Sequence, residues 1–169
     1  MLVYERAILK TFPQLDKVAD GLRCAVYKKA VSSFGDLRPT ESIANELLMK
    51  IHKRSMIAEL KSAVEESLTK IKPCYAYYLS VQYGIGNLTP QLNEVKDRNF
   101  YRKVALSIKK FSEEMNSLGF TDRIYEKYVK AFPFIKAEYD KANSFNEKIR
   151  QNERFTCKGR SFKPNTSKK

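Results

Sequence analysis

The sequence predicts an all-α fold: a multi-helix bundle that contains a helix-turn-helix-like unit and ends in a basic C-terminal tail. Along most of the 169 residues, apolar side chains recur at steps of three and four, which is the period of an α-helix. Glycine and proline number six each, too few for a fold built on many strands and turns. Hydrophobic residues make up 43% of the chain, enough to bury a core, which excludes disorder throughout.

The N-terminal half predicts an interrupted helix followed by two further helices. Residues 4–34 carry apolar side chains at mostly helical steps, and Pro13 should break or kink that run. The segment GDLRPT is a loop, and Thr40 is expected to cap a helix over residues 41–55. That helix should bury one stripe: Ile43, Leu47, Leu48 and Ile51. A separate helix is expected over residues 56–71, with its own stripe: Ile57, Leu60, Val64, Leu68 and Ile71.

The middle of the chain predicts two short helices on either side of a clear break. Pro73 should open the aromatic helix CYAYYLSVQY, because proline is well tolerated at the first helical position. The segment GIGNLTP then allows a tight turn. Thr89 followed by Pro90 is a helix-start signal, so a second short helix is expected from Pro90 to Lys96.

The C-terminal third predicts three helices and then the tail. Asp97 can cap a long basic helix, which should stop at Gly119. Thr121 is expected to cap the next helix, and Pro133 to open the last one. Beyond about Asn152 the periodicity is lost while the charge stays positive. The sequence therefore predicts one helical domain over residues 1–152 and a flexible basic tail over residues 153–169.

The basic helix has two chemically distinct faces. Its large apolar residues are spaced for one inner face: Phe100, Val104, Ile108, Phe111, Met115 and Leu118. At about 100° per residue, Arg98, Arg102 and Lys109 fall on the other side, within about 40° of one another. Such a face is either a solvated surface or one that lies along a phosphate backbone. Only outward-facing and unpaired cations could bind a polyanion there.

The order of the two helices that follow the break is the order of a helix-turn-helix. In that motif the second helix enters the major groove, and its N-terminal residues contact base edges. We therefore expect a helix-turn-helix-like unit over about residues 73–118. The candidate nucleic-acid-binding residues all lie on the basic helix: Arg98, Asn99, Arg102 and Lys103 toward DNA, and Lys109 and Lys110 on phosphates.

The charge balance favours a polyanionic partner. Lysine and arginine number 32 against 19 acidic residues, a net charge of +13. Double-stranded DNA is the expected partner, and the basic tail would add attraction that does not depend on base sequence. No stretch is apolar and long enough to cross a bilayer, so no membrane contact is expected.

The sequence carries none of the familiar signatures of catalysis. It has one histidine, no phosphate-binding glycine loop and no metalloprotease or nucleophile-elbow motif. We therefore expect no enzyme, cofactor or metal site. The three cysteines are far apart and odd in number, which argues against a disulfide framework and is typical of a cytoplasmic protein. Cys24 and Cys74 are expected to be small core residues, and His52 to be structural or solvent-facing.

Three segments together resemble small bacterial proteins that are distantly similar to the fourth region of sigma factors. They are residues 5–34, residues 42–73 and RNFYRKVALSIKKFSEEMNSLGF, within a similarity of pattern over residues 4–140. The resemblance implies a DNA-binding transcriptional regulator whose groove helix begins with Arg98, Asn99, Arg102 and Lys103. Almost no room for the usual turn exists between Lys96 and Arg98, so the motif departs from that family.

Two other functions remain open from the sequence. One is a non-enzymatic helical adaptor that binds an acidic protein, for which an RNA polymerase subunit or a phage component is the candidate. The other is RNA binding through exposed aromatic side chains such as Tyr77, Tyr78 and Tyr101. The sequence does not specify the target DNA site, the oligomeric state, or whether binding activates or represses.

Overall fold

The computed structural model describes residues 2–86 and 97–158, with side chains as far as Lys148, and this part of the chain is helical without strands. Short 3₁₀ turns at Phe12–Gln14 and Ser33–Gly35 flank the second helix. The α-helices are α1 Val3–Thr11, α2 Leu15–Ser32, α3 Thr40–Lys70, α4 Pro73–Tyr83, α5 Arg98–Ser117, α6 Asp122–Ala131 and α7 Pro133–Lys158. None of the described helices is long and apolar enough to span a membrane.

Most of the predicted helix boundaries are confirmed. Pro13 lies in the 3₁₀ turn that separates α1 from α2, and Pro73 and Pro133 each open a helix. Gly119 has φ +88°, a left-handed conformation that follows the end of α5. Thr121 stands at the N-cap of α6 but makes no capping hydrogen bond through its side chain.

The prediction of two separate helices over residues 41–55 and 56–71 is wrong. A single helix, α3, runs over Thr40–Lys70, and Thr40 is its first residue rather than its cap. The reason is that no glycine or proline lies between residues 40 and 72. The two predicted stripes differ by a rotation of about 120° around one helix axis. The change of stripe does not mark an end of the helix. The first stripe is also only partly covered, since Leu48 and Ile51 are exposed.

The last helix extends beyond the predicted end of the helical domain. Its backbone is helical to Lys158, six residues past the boundary that the loss of periodicity suggested at about Asn152. The rest of the predicted tail, residues 159–169, lies outside the described residues.

A compact body is formed by α1, the C-terminal half of α3, and α4 to α7. In it α1 packs on α7, α4 packs on α5, and α3 also packs on α5. The core draws on every one of these helices, with side chains that are almost fully buried: Ile8, Leu9, Ile57, Leu60, Val64, Leu79, Ile108, Phe111, Met115, Tyr125 and Ile135. Burial of this apolar surface is the main force that holds the body together.

A hairpin of α2 and the N-terminal half of α3 extends from the body, and we call residues 18–56 the arm. The two helices are antiparallel. Lys61 pairs with Asp16 at the base, with an N–O distance of 2.6 Å, and Lys29 pairs with Glu46 nearer the tip, at 3.5 Å. Leu15 is the one buried residue of α2. In the arm itself, Ile43 alone is buried.

Candidate nucleic-acid interface

Helix α5 is oriented by its apolar face. Phe100, Val104, Ile108 and Phe111, predicted to hold this helix to the bundle, are all buried. Asp97 caps the helix as predicted: its carboxylate accepts a hydrogen bond from the backbone N–H of Phe100 at 2.7 Å. The cap and the buried face together determine which side of α5 meets solvent.

The exposed side of α5 carries four of the six candidate binding residues without an ion pair or a side-chain hydrogen bond to a described residue. Arg98, Asn99, Arg102 and Lys109 are all exposed. None of them forms an ion pair or a side-chain hydrogen bond with another described residue. The charge of Lys109 contributes to the lowered pKa of Glu113, one turn further along the helix, whereas Arg98, Asn99 and Arg102 are free to contact an external anion.

The other two candidates make contacts within the chain. Lys103 donates a hydrogen bond from Nζ to the Tyr78 hydroxyl oxygen at 2.8 Å, and the same nitrogen lies 5.1 Å from the centroid of that ring. Lys110 pairs with Glu113 at 2.7 Å, which raises the pKa of the lysine and lowers that of the glutamate. The candidate interface therefore depends most on Arg98, Asn99, Arg102 and Lys109.

One flank of α5 extends the cationic surface to Lys72, which was not among the residues predicted from the sequence. A shallow cavity of about 320 Å³ lies between α5 and the junction of α3 with α4, and Lys72 and Lys110 both line it. Glu113 and Glu114 line the same cavity. These acids bound the cationic surface toward the C-terminal end of α5. Lys72 was missed because it precedes Pro73 in a junction where no periodicity marks a face.

The opposite flank of α5 borders a mostly apolar groove. It has a volume of about 450 Å³ and is lined by residues of α1, α4, α5 and α7, among them Arg6, Tyr83, Tyr101 and Phe145. Burial raises the pKa of Tyr83, and the nearby charge of Arg6 acts in the opposite direction. This groove could not be predicted from the sequence because its lining residues are far apart in the chain.

The helix-turn-helix prediction concerns a part of the chain that is only partly described. The expected short helix from Pro90 to Lys96 lies outside the described residues. The flanking helices α4 and α5 pack together, and the rings of Tyr78 and Phe100 meet edge to face with centroids 5.8 Å apart. Of the three tyrosines considered for base stacking, Tyr77 and Tyr78 are half-buried, and Tyr101 is 52% exposed.

The other chemically reactive side chains that the structure describes do not converge on a site. Cys24 and Cys74 are exposed free thiols, so the expectation that they are core residues is wrong. Each lies on the side of its helix that the packed neighbours leave open. His52 is solvent-facing. Within the part of the chain that the structure describes, no three histidine, cysteine or acidic side chains are grouped so that they could hold a metal ion.

Comparison with known proteins gives no further guidance: no protein-family model, no curated protein and no solved structure matches the chain.

Proposed function

We propose that the protein binds double-stranded DNA through the exposed face of α5 and acts as a transcriptional regulator that resembles the fourth region of sigma factors. The observation that carries the proposal is the presence of exposed, unpartnered Arg98, Asn99 and Arg102 on the first two turns of a helix whose opposite face is buried. Arginine and asparagine are the side chains that read guanine and adenine edges in the major groove.

The placement of these groups suits a helix that lies in a groove. Arg98 and Lys109 are eleven residues apart, about 16 Å along the helix axis, and Arg102 lies between them on the same side. Lys109 would contact phosphate, as would Lys110 once it leaves Glu113. Lys103 would support the interface from the flank, where its amine bonds Tyr78. The net charge of +13 would favour the encounter with DNA.

A titration of fluorescently labelled duplex at two salt concentrations tests the proposal. For three to four phosphate contacts, we expect affinity to fall by roughly two powers of ten between about 50 and 200 mM salt. The double variant Arg98→Ala, Arg102→Ala should weaken binding, and it should reduce the slope of log affinity against log salt by about one for each arginine that contacts phosphate rather than a base edge.

A matched double variant on α6, Arg123→Ala with Lys127→Ala, removes the same charge from exposed positions away from α5. It should leave the affinity close to that of the unaltered chain. Equal losses in the two double variants would mean that only net charge matters, which contradicts binding through α5. No measurable binding near physiological salt would overturn DNA binding altogether, and the adaptor function with an acidic protein would then replace it.

A further inference from the structure

The groove between α1, α4, α5 and α7 contains a cation that its described lining does not balance. Arg6 lines the groove from α1, is half-buried, and forms no ion pair or hydrogen bond with another described residue. Lys10, one turn further along the same helix, pairs with Glu138 at 3.2 Å. No acidic side chain is among the described residues that line the groove. The guanidinium of Arg6 is therefore available to an anion that enters from outside.

The polar groups closest to Arg6 do not supply that anion. The Oε1 atom of Gln82 is buried without a hydrogen-bond partner, so it does not accept from the guanidinium. Burial raises the pKa of Tyr83, so its phenol stays neutral near pH 7 and can itself donate a hydrogen bond. Glu5, the nearest acid in the sequence, does not line the groove, and it accepts a hydrogen bond from Ser112 Oγ at 2.6 Å. The groove thus offers two donors, one of them charged, to an external acceptor.

The rest of the groove is suited to a flat apolar body. Val104 and Ile108 line it from α5 and are only 6% and 2% exposed, whereas the rings of Tyr101 and Phe145 are 52% and 58% exposed. Aromatic rings that remain open in a concave site can stack on a ring of a ligand. The volume of about 450 Å³ lies within the usual range for small-molecule sites, about 300–1,000 Å³.

We propose that the groove binds a small aromatic carboxylate, with the carboxylate on the Arg6 guanidinium and the ring packed against Tyr101 and Phe145. An arginine guanidinium presents parallel N–H groups that match the two oxygens of a carboxylate. A neutral aromatic molecule would displace water from Arg6 without replacing its hydrogen bonds, and a cation would be repelled. None of the candidate DNA-binding residues lines the groove, so the proposal does not rest on DNA binding.

Equilibrium dialysis of the full chain against 2-naphthoate tests the chemistry of the ligand. We expect saturable binding to one site per chain, with a Kd of roughly 0.02–1 mM for a molecule of this size. The neutral analogue 2-naphthamide should bind at least about tenfold more weakly, because it cannot pair with Arg6. The saturated analogue decahydro-2-naphthoate should bind about three- to tenfold more weakly, because it cannot stack on the rings. The absence of saturable binding, or equal binding of either analogue, would overturn the proposal.

Three variants test the location of the site. Arg6→Gln should weaken 2-naphthoate by at least about tenfold and leave 2-naphthamide unchanged. Lys10→Gln is the matched control: it removes the same charge from the same face of α1, and Glu138 keeps its pair with Lys141 at 2.6 Å. Ala105→Trp fills the groove from an exposed position on α5, and it should remove the binding of both molecules.

Circular dichroism checks that the three variants keep the helical content of the unaltered chain. Equal losses in Arg6→Gln and Lys10→Gln would mean that only net charge attracts the carboxylate, which contradicts a site at Arg6. Binding of 2-naphthoate that survives Ala105→Trp in a folded chain takes place on another surface, and this result would also overturn the proposal.

Discussion

The body and the arm are built from helices of similar composition, yet they use their apolar residues differently. Helix α3 passes through both regions, and the comparison is clearest along its length. Leu60 in the body is completely buried, whereas Leu48, twelve residues earlier, is 61% exposed. An apolar stripe on a helix therefore shows that its residues can be buried. Whether they are buried depends on where the neighbouring helices pack.

The largest expected difference between the two regions is in the free energy of unfolding. Leu60→Ala removes a buried side chain and leaves a cavity, so we expect it to lower the free energy of unfolding by about 2–5 kcal/mol. Leu48→Ala, the same change on the same helix, should alter it by no more than about 0.5 kcal/mol. Urea denaturation of the two variants measures both.

Equal losses from the two substitutions would mean that the arm is packed as tightly as the body in the isolated chain. The comparison between the regions would then be wrong.

Much of the body could be predicted from the sequence because its helix boundaries are local. Pro73, Asp97, Gly119 and Pro133 act through backbone geometry and nearby hydrogen bonds, and all four mark boundaries in the structure as expected. The inner face of α5 could also be predicted, because one regular stripe meets one core. Sequence periodicity contains this information without any knowledge of the neighbouring helices.

The arm and part of the candidate interface could not be predicted because they depend on contacts distant in sequence. The partner of Lys103 is Tyr78, 25 residues away on α4, and no local pattern joins them. The stripe of Leu48 and Ile51 looked like a core stripe, but α2 covers the other side of α3. Lys110 differs, since its pair with Glu113 has an i,i+3 spacing that the sequence itself displays.

A smaller difference is expected at the helix starts of the two regions. Asp97 satisfies a backbone N–H at the start of α5 in the body, so Asp97→Ala should lower the free energy of unfolding by about 1 kcal/mol. Helix α3 begins in the arm at Thr40, and no side chain caps it with a hydrogen bond. Thr40→Ala should therefore change the free energy of unfolding by less than about 0.5 kcal/mol. Thermal denaturation of the two variants gives the comparison. A larger loss of unfolding free energy in Thr40→Ala than in Asp97→Ala would contradict this expectation.

The smallest effect expected is a difference between the arm and the body in how strongly acid destabilises them. It arises from the carboxylates at the tip of the arm. Hydrogen bonds from Arg38, followed by one from Lys29, lower the pKa of Asp36, and Lys50 with Lys29 lowers that of Glu46. A carboxyl group whose pKa is lower in the folded state stabilises that state fully above its unfolded pKa, which is about 4. The contribution begins to be lost as pH falls below this value, and it is lost fully only below the lowered pKa of the folded state.

Hydrogen exchange at about pH 5.5 and pH 3.5, corrected for the intrinsic rate of each amide, measures this loss. Amides within residues 24–50 should lose more protection at the lower pH than those of the core helix α5. Asp36→Asn removes one titrating group and should shrink the difference between the two pH values. Added salt should also reduce the difference in protection between the two pH values, because the ion pairs of Asp36 and Glu46 are partly open to solvent. If protection in the arm falls equally in the Asp36→Asn variant, the carboxylate of Asp36 does not hold the tip.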